Sequence, residues 1–149
     1  MALIKGNTYH NVFYDNVLIK LRSIITTDRA CTVYISPRFK DYGSYSIRLW
    51  GFSSETDELF ATEWRKVYNT TISLYSIGDE SERFYEQFYS DAERLYQLLF
   101  NNMQNGANSF PWVDGTVGEV VFDDFEDDEE TIDNLHVARF DFSCRISRA

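Results

Sequence analysis

The residues from Leu59 to Ile77 form a long run of strand-forming residue types, and this run limits the folds that the chain can adopt. The run is rich in Thr, Tyr, Val, Ile and Trp, which favour extended backbone. As one straight strand, these 19 residues would extend about 63 Å at about 3.3 Å per residue. A compact domain of this size is only about 38 Å across, because its radius of gyration is about 15 Å. The strand must therefore bulge, bend or project, and we predict either a break near Asn69 and Thr70 or a hairpin arm that reaches a neighbouring subunit.

The segment before this run has the pattern of a second strand. From Ser44 to Phe52, apolar and polar residues alternate with the period of two that is typical of a half-buried strand. The polar residues from Ser53 to Glu58 are predicted to form the turn. Together the two strands would form a long β-hairpin.

Two other segments have the three- and four-residue apolar spacing of amphipathic helices. The first is predicted to be capped by Asn7 or Thr8. The second begins at a capping-box pair, Asp79 and Glu82, and ends at Gly106. The apolar stripe of the first helix is Tyr9, Val12, Phe13, Val17, Leu21 and Ile24. The stripe of the second is Phe84, Phe88, Ala92, Leu95, Leu99 and Met103, with Tyr85, Tyr89 and Tyr96 beside it.

Three further strands complete the predicted sheet. Cys31 to Ile35 is a short apolar run, and Val113 to Phe125 is a strand that a turn or bulge interrupts at Gly115 and Gly118. The last strand is the most regular, with His136, Ala138, Phe140, Phe142, Cys144 and Ile146 on one parity. We therefore predict one domain, residues 1–149, of the α+β class, with a mainly antiparallel sheet, a long β-hairpin and two main helices packed on one face.

An acidic segment lies between the last two predicted strands. It contains no Lys or Arg and holds eight of the 24 acidic residues, so the rest of the chain has 16 acidic residues against 14 basic ones. We predict a hydrated loop, in a chain without the basic stripe that grips nucleic acid. An EF-hand does not fit, because counting from Asp123 puts Phe125 at the third ligand position, and counting from Asp124 puts Glu129 where Gly is required. The acidic residues are Asp123, Asp124, Glu126, Asp127, Asp128, Glu129, Glu130 and Asp133.

The residue types that most often carry catalysis or bind metals form no recognisable site. A zinc site would need His10, His136, Cys31 and Cys144 to converge, but His136 and Cys144 lie about 26 Å apart along one strand. The nucleophile elbow and the P-loop and dinucleotide fingerprints are absent from the sequence. We therefore predict a protein that is not an enzyme, with no catalytic residues, no cofactor and no metal. The cysteines lack a CxxC spacing and no apolar run is long enough to span a membrane, so we expect reduced thiols, a soluble protein and no membrane partner.

Three short motifs in the second half of the chain point to a family. They are DAERLYQLL from Asp91, WVDG from Trp112 and RFDFSCR from Arg139. Together with the amphipathic first helix, the hairpin and the acidic segment, they make an arrangement that resembles the tail-terminator (tail-completion) proteins of tailed bacteriophages. The resemblance implies a structural virion protein that forms a homo-oligomeric ring, a hexamer, at the head-proximal end of the tail tube. There the ring would stop tube polymerisation and join the tail to the head connector.

The resemblance also implies partners and contact regions. The partners would be other copies of the chain, the tail tube protein and the head–tail connector or neck proteins, in the virion and, during assembly, in the host cytoplasm. The acidic loop would either face the channel, where genomic DNA passes without specific binding because like charges repel, or lie hydrated on the outside. The residues that would contact a subunit or the tube are Trp50, Phe52, Ser53, Ser54, Glu55, Thr56, Asp57, Glu58 and Phe60.

Three other functions are compatible with the sequence. Other phage neck or head–tail connector proteins share similar α+β layouts. An acidic DNA mimic that inhibits a host enzyme requires carboxylates spread over a surface, whereas these are predicted to cluster in one loop. A metal-dependent hydrolase would have to use the same acidic loop.

Overall fold

The chain folds into two helical elements and the strands of one sheet. The computed structural model describes residues 11–29, 31–36, 45–59, 64–78, 81–101, 116–129 and 135–148. The helices are a π-helical segment, Val12–Leu18, which continues into α1, Ile19–Asp28, and α2, Glu82–Asn101. The strands are β1, Val33–Ile35; β2, Tyr45–Leu59; β3, Trp64–Ile77; β4, Thr116–Glu129; and β5, Leu135–Arg148. The predicted α+β class is confirmed.

The described strands form one five-stranded sheet in the order β1-β2-β3-β5-β4. β1 runs parallel to β2, and the other neighbouring pairs are antiparallel. β3 and β5 pair without interruption from Trp64 opposite Arg148 to Ile77 opposite Leu135, so these two strands form the centre of the sheet. We define the distal half of the sheet as residues 53–59 of β2, 64–69 of β3, 143–148 of β5 and 116–121 of β4. The remaining rows form the proximal half.

The helices pack on one face of the sheet and form the main core with it. On the sheet side, Leu49, Ile72 and Phe140 are neighbours in one row across β2, β3 and β5, and all three are fully buried. Burial of a side chain of this size is worth about 1.5–3 kcal/mol, so this row is a main anchor of the helices. From the helices, the same cluster includes Val17, Leu21, Ile25, Phe88, Ala92, Leu95 and Leu99.

The π-helical turns at the start of the N-terminal helix change which residues face the core. Turns closed by i→i+5 hydrogen bonds are wider than α-helical turns, so the apolar stripe shifts in phase. Ile25 is fully buried, whereas the predicted stripe residue Ile24 is only half-buried. Asn11 caps the first turn through its side chain, and the predicted caps Asn7 and Thr8 lie outside the described residues.

Helix α2 agrees closely with its predicted stripe. It begins at Glu82, and the Ser81 hydroxyl accepts a hydrogen bond from the Phe84 N–H at 3.2 Å, which satisfies one of the free donors of the first turn. The predicted cap Asp79 and the predicted end at Gly106 lie outside the described residues. The buried members of the predicted stripe are Phe88, Ala92, Leu95 and Leu99.

The predicted hairpin turn is wrong in position. Residues 53–58 do not turn but belong to β2, where Ser53 lies opposite Asn69 and Glu58 lies opposite Arg65. The paired backbone of β3 extends the strand through this polar segment, because strand formation depends more on neighbouring strands than on local propensity. Phe60 lies outside the described residues.

The predicted break near Asn69 and Thr70 is replaced by a bulge in the neighbouring strand. β3 itself is continuous over its 14 residues, about 46 Å at about 3.3 Å per residue. In β2 the register shifts between Trp50 and Ser53, so that two residues, Gly51 and Phe52, oppose one residue of β3. Gly51 has a φ of +64°, a left-handed conformation that glycine adopts at no steric cost.

The predicted acidic loop is also wrong, because most of it is strand. β4 continues to Glu129, which lies opposite His136 at the start of β5. The regular strand β5 offers paired backbone to β4, which is outermost among the described strands, and charged residues are common on edge strands. A register shift between Phe122 and Phe125 leaves Asp123 and Asp124 outside the regular pairing. A second shift, around Gly118, confirms the bulge predicted there; Glu130, Asp133, Val113 and Gly115 lie outside the described residues.

Candidate assembly surface

The exposed part of β2 contains most of the residues predicted to make contacts with other proteins. Residues 51–56 are all exposed, and Leu59 at the end of the strand is 77% exposed. Phe52 is 42% exposed, whereas Trp50 is half-buried. An exposed strand with two large apolar side chains is typical of an interaction surface. The structure therefore places the predicted contact residues on one extended edge rather than around a turn.

The base of this exposed strand is held against the N-terminal helix by aromatic rings. Phe13 lies in an edge-to-face arrangement with Phe52, with ring centroids 6.0 Å apart, and its centroid is 4.9 Å from that of Tyr68 on β3. The Lys66 ammonium lies 5.2 Å from the Tyr68 ring centroid. Aromatic pairs of this kind contribute about 0.5–1.5 kcal/mol each beyond their burial. These contacts therefore hold the start of the exposed strand in place against the N-terminal helix.

The bulge at Gly51 is held by a hydrogen bond from the opposite strand. The Thr70 hydroxyl donates to the Trp50 carbonyl at 2.9 Å. This hydrogen bond gives the Trp50 carbonyl a partner at the residue where the regular pairing of β2 with β3 is interrupted. A Cβ at Gly51 would lie 3.0 Å from the Thr71 Oγ1. Both the dihedral angle and the close neighbour therefore favour glycine at this position.

The sheet face opposite the helices carries a row of cations and aromatic rings that the sequence did not reveal. The Arg48 guanidinium lies 4.6 Å from the Tyr34 ring centroid, and the Arg139 guanidinium lies 5.9 Å from the Trp50 ring centroid. The Trp50 Nε1–H donates to the Ser73 hydroxyl at 2.7 Å. Guanidinium groups are attracted to aromatic faces and are stabilised there by about 0.5–2 kcal/mol.

Burial on this second face is the feature that sequence reasoning missed. β2 was predicted to be half-buried, yet Ser46 and Arg48 are each 1% exposed. A smaller buried cluster, Tyr75, Leu135 and Val137, lies on the same face. The sequence does contain a sign of this burial, because apolar residues occupy both the odd-numbered and the even-numbered positions of β2 and of the first part of β5. In the proximal half, parts of β2, β3 and β5 are therefore buried on both faces, unlike the exposed distal part of β2.

The acidic strand and the exposed strand lie at opposite edges of the sheet. β3 and β5 separate β2 from β4, which puts the two about 14 Å apart at about 4.8 Å per strand. In the register, Glu126 lies opposite Arg139 and Asp128 opposite Val137. The two predicted contact regions are thus not one site, and any partner of the acidic strand meets a different edge.

An ion-pair cluster joins the end of α1 to α2 and the sheet. Two Arg94 nitrogens donate to the two carboxylate oxygens of Asp28, each at 3.0 Å, and Arg29 donates to the Tyr45 hydroxyl and to the Asp91 carbonyl at 3.3 Å. The hydrogen bonds from Arg94 hold the pKa of Asp28 below its ordinary value. Burial raises the pKa of the Tyr45 hydroxyl. The bidentate pair of Arg94 and Asp28 fixes the end of α1 against α2.

Of the residues considered for zinc, His136 and Cys144 are buried in separate places, Cys31 is half-buried, and His10 lies outside the described residues. His136 is 1% exposed and lies among the rings of Phe84, Tyr85 and Phe88, at centroid distances of 4.8, 5.3 and 5.9 Å. Cys144 is fully buried, and burial raises the pKa of its thiol. Within the described residues, no group of three or more His, Cys, Asp or Glu side chains is arranged to hold a metal ion. No helix in the described part of the chain is long and apolar enough to cross a membrane.

Comparison with known proteins gives the fold and no family assignment. No family model matches the chain, and no curated protein matches it. Among solved structures, a chain from the "Virion of native gene transfer agent (GTA) particle" is similar, with a TM-score of 0.56 and 11% sequence identity. The match covers 85% of this chain and 84% of that chain. At this identity, the likeness establishes a shared fold over nearly the whole length of both chains.

Proposed function

We propose that this chain is a structural virion protein and, more specifically, a tail terminator. It would form a hexameric ring at the head-proximal end of a tail tube, stop polymerisation of the tube and join the tail to the head connector. The observation that carries the proposal is the shared fold with a chain of a virion particle over 85% of this chain. Two of the motifs that resemble tail terminators support the finer assignment, since Asp91 opens its motif within α2 and Arg139 opens its motif within β5.

The protein would act by binding rather than by catalysis. The exposed residues 51–56 of β2 and the exposed side chain of Leu59 would supply a contact with a neighbouring subunit or with the last ring of the tube. A bound ring removes the end to which the next tube subunit would add, and this is sufficient to stop growth. No chemical step is required.

The acidic strand suits a position near DNA that must not adhere. Asp123, Asp124 and residues 126–129 give β4 six carboxylates within seven positions. Phosphate groups carry the same charge, so repulsion would let the genome pass without being held. In this proposal the strand, rather than a loop, carries the charge.

The experiment is deletion of the gene in cells that produce the particles, followed by electron microscopy of tails and heads. We expect tails of abnormal length that lack heads, and recovery when the parent chain is supplied. Particles with normal tails joined to heads would overturn the proposal. Tails of normal length without heads would instead favour a neck or head–tail connector protein.

A matched pair of variants links the phenotype to the exposed strand. Leu59→Asp changes an exposed apolar side chain on β2, and Tyr89→Ala changes one that is 43% exposed on α2. Both chains should fold, because neither side chain belongs to the core. We expect Leu59→Asp to fail in complementation and Tyr89→Ala to succeed; equal success of both would argue against β2 as the contact.

A further inference from the structure

In the part of the chain that the structure describes, neither outer strand of the long sheet has a further strand neighbour in the distal half. β1 pairs with β2 only at Ile47, Arg48 and Leu49, so residues 53–59 of β2 have a described strand neighbour on the β3 side alone. At the other edge, β4 pairs with β5 alone among the described strands. Each edge therefore presents a row of backbone N–H and C=O groups that is suited to pairing with another strand.

Two of the proximal rows are closed at both edges, but by different means. At the β2 edge, β1 covers the rows of Ile47 and Arg48. Followed across the sheet, these two rows end at Asp127 and Glu126 of β4. Charged residues on an edge strand oppose the addition of another strand. These two rows are thus closed at both sides of the sheet, whereas the row of Leu49, which β1 also covers, ends at the uncharged Phe125.

The strand directions permit these two open edges to pair with each other. β2, β3, β5 and β4 alternate in direction, so β2 and β4 run in opposite directions. The β4 edge of one copy, placed beside the β2 edge of the next, continues the antiparallel alternation. The open part of β4 includes Val117, Val120 and Val121 and a single carboxylate, Glu119, and β-branched residues favour pairing.

We propose that residues 53–59 of β2 pair antiparallel with residues 116–121 of β4 in a second copy of this chain, so that the sheet continues from one copy to the next. The contact uses two different surfaces, and such head-to-tail contacts close into rings when the rotation between copies permits. This inference deepens the proposed ring and rests on it for its biological setting. The strand pairing itself is a property of the purified chain.

The charges at the two edges make the pairing weak and dependent on salt. The open part of β2 carries Glu55, Asp57 and Glu58, and the open part of β4 carries Glu119. Like charges across a strand pair are destabilising, and dissolved salt screens them. We expect self-association to increase with ionic strength, and Glu119→Gln to increase it at low ionic strength. A contact formed by ion pairs would show the opposite salt dependence.

Disulfide formation tests the contact directly. Across an antiparallel pair the Cα atoms lie about 4.5–5.5 Å apart, within the range of about 4.4–6.8 Å that a disulfide spans. Ser54 and Val120 belong to the same row of the sheet, so they meet between copies if a flat ring keeps the rows level. Ser54→Cys is combined with Val120→Cys, in a chain that also carries Cys31→Ser and retains the fully buried Cys144.

The head-to-tail geometry gives a specific pattern of products at high ionic strength. The double variant should form a ladder of covalent multimers, each single variant should form none, and a mixture of the two single variants should form dimers only. Glu119→Cys and Val121→Cys, each in place of Val120→Cys, scan the neighbouring registers. A control chain with a cysteine at Ser23, which is exposed on α1, should form no ladder with Val120→Cys.

Three outcomes would overturn the proposal. They are dimers of the single variants in amounts equal to the double variant, an equal ladder from the Ser23 control, and no ladder in any of the three registers. Hydrogen exchange of the unsubstituted chain gives a second reading: with rising concentration and salt, protection should increase at residues 53–59 and 116–121 but not at residues 82–101. Because these tests use purified chain and the tail assay uses particles, failure of one is distinguishable from failure of the other.

Discussion

The bulge at Gly51 should be unusually sensitive to substitution, because two separate costs meet there. The φ of +64° lies in the left-handed region, which costs an L residue about 1–2 kcal/mol. A Cβ would also lie 3.0 Å from the Thr71 Oγ1, and the threonine side chain must then move by a few tenths of an ångström. Gly51→Ala should therefore lower the free energy of unfolding by about 2 kcal/mol, with the dihedral angle as the larger part.

Urea denaturation followed by tryptophan fluorescence measures this loss as a lower midpoint with an unchanged slope. Gly51→Asn is the matched control, since asparagine adds the same Cβ but tolerates the left-handed region better, and it should cost clearly less. Removing the close neighbour with Thr71→Ala should recover only the smaller part of the loss in the Gly51→Ala chain. The reasoning is refuted if Gly51→Ala unfolds within about 0.5 kcal/mol of the parent, or if Asn and Ala cost the same.

The remaining predictions concern the core, the ion pair and the thiols. Phe140→Ala, at a fully buried position, should lower the free energy of unfolding by about 3–5 kcal/mol in the same urea assay; a loss below 1 kcal/mol on that scale would contradict the described core. The hydrogen bonds from Arg94 lower the pKa of Asp28, so this carboxylate stabilises the fold above its unfolded-state pKa and loses that effect as the pH falls through its folded-state pKa. Arg94→Gln should therefore lower stability near neutral pH, and urea midpoints of the two chains should converge in acid; a constant difference would contradict this. Cys144 is buried, and burial raises the pKa of its thiol, so iodoacetamide should label the half-buried Cys31 first. Mass spectrometry of the peptides measures the two labelling rates, and equal rates would contradict this order.

The elements that sequence predicted well are α2 and the part of β5 after Val137, where burial is one-sided. The stripe of α2 and the alternation of β5 were both confirmed, with Phe88 and Leu95 buried on the helix and Phe140 and Ile146 buried on the strand. In each case a polar face contrasts with an apolar face, so the period of the pattern follows the geometry. The N-terminal helix was predicted less well, because the wider π-helical turns bury Ile25 instead of Ile24.

The errors arose where a neighbouring strand decides the structure. Residues 53–58 and the acidic residues of β4 are polar, and polar segments between apolar runs usually indicate turns. In this fold each segment lies at a sheet edge and continues a strand whose inner neighbour is long and regular. Local composition does not contain that information. For the same reason, the buried Arg48 could not be predicted from an alternation that places it on the polar side of β2.

The central strands of the sheet are longer than helix α2. The central strands extend about 46 Å at about 3.3 Å per residue, whereas the 20 residues of α2 extend about 30 Å at 1.5 Å per residue. Even if α2 ran parallel to the strands, about five strand residues would extend beyond it. Residues 53–59 of β2 lie at the edge of the distal rows, and residues 53–56 are exposed, although Cys144 and Ile146 in the same rows of β5 are fully buried. A second copy of the chain would gain the most by adding a strand beside this exposed edge, which is why the self-contact is assigned to the distal rows.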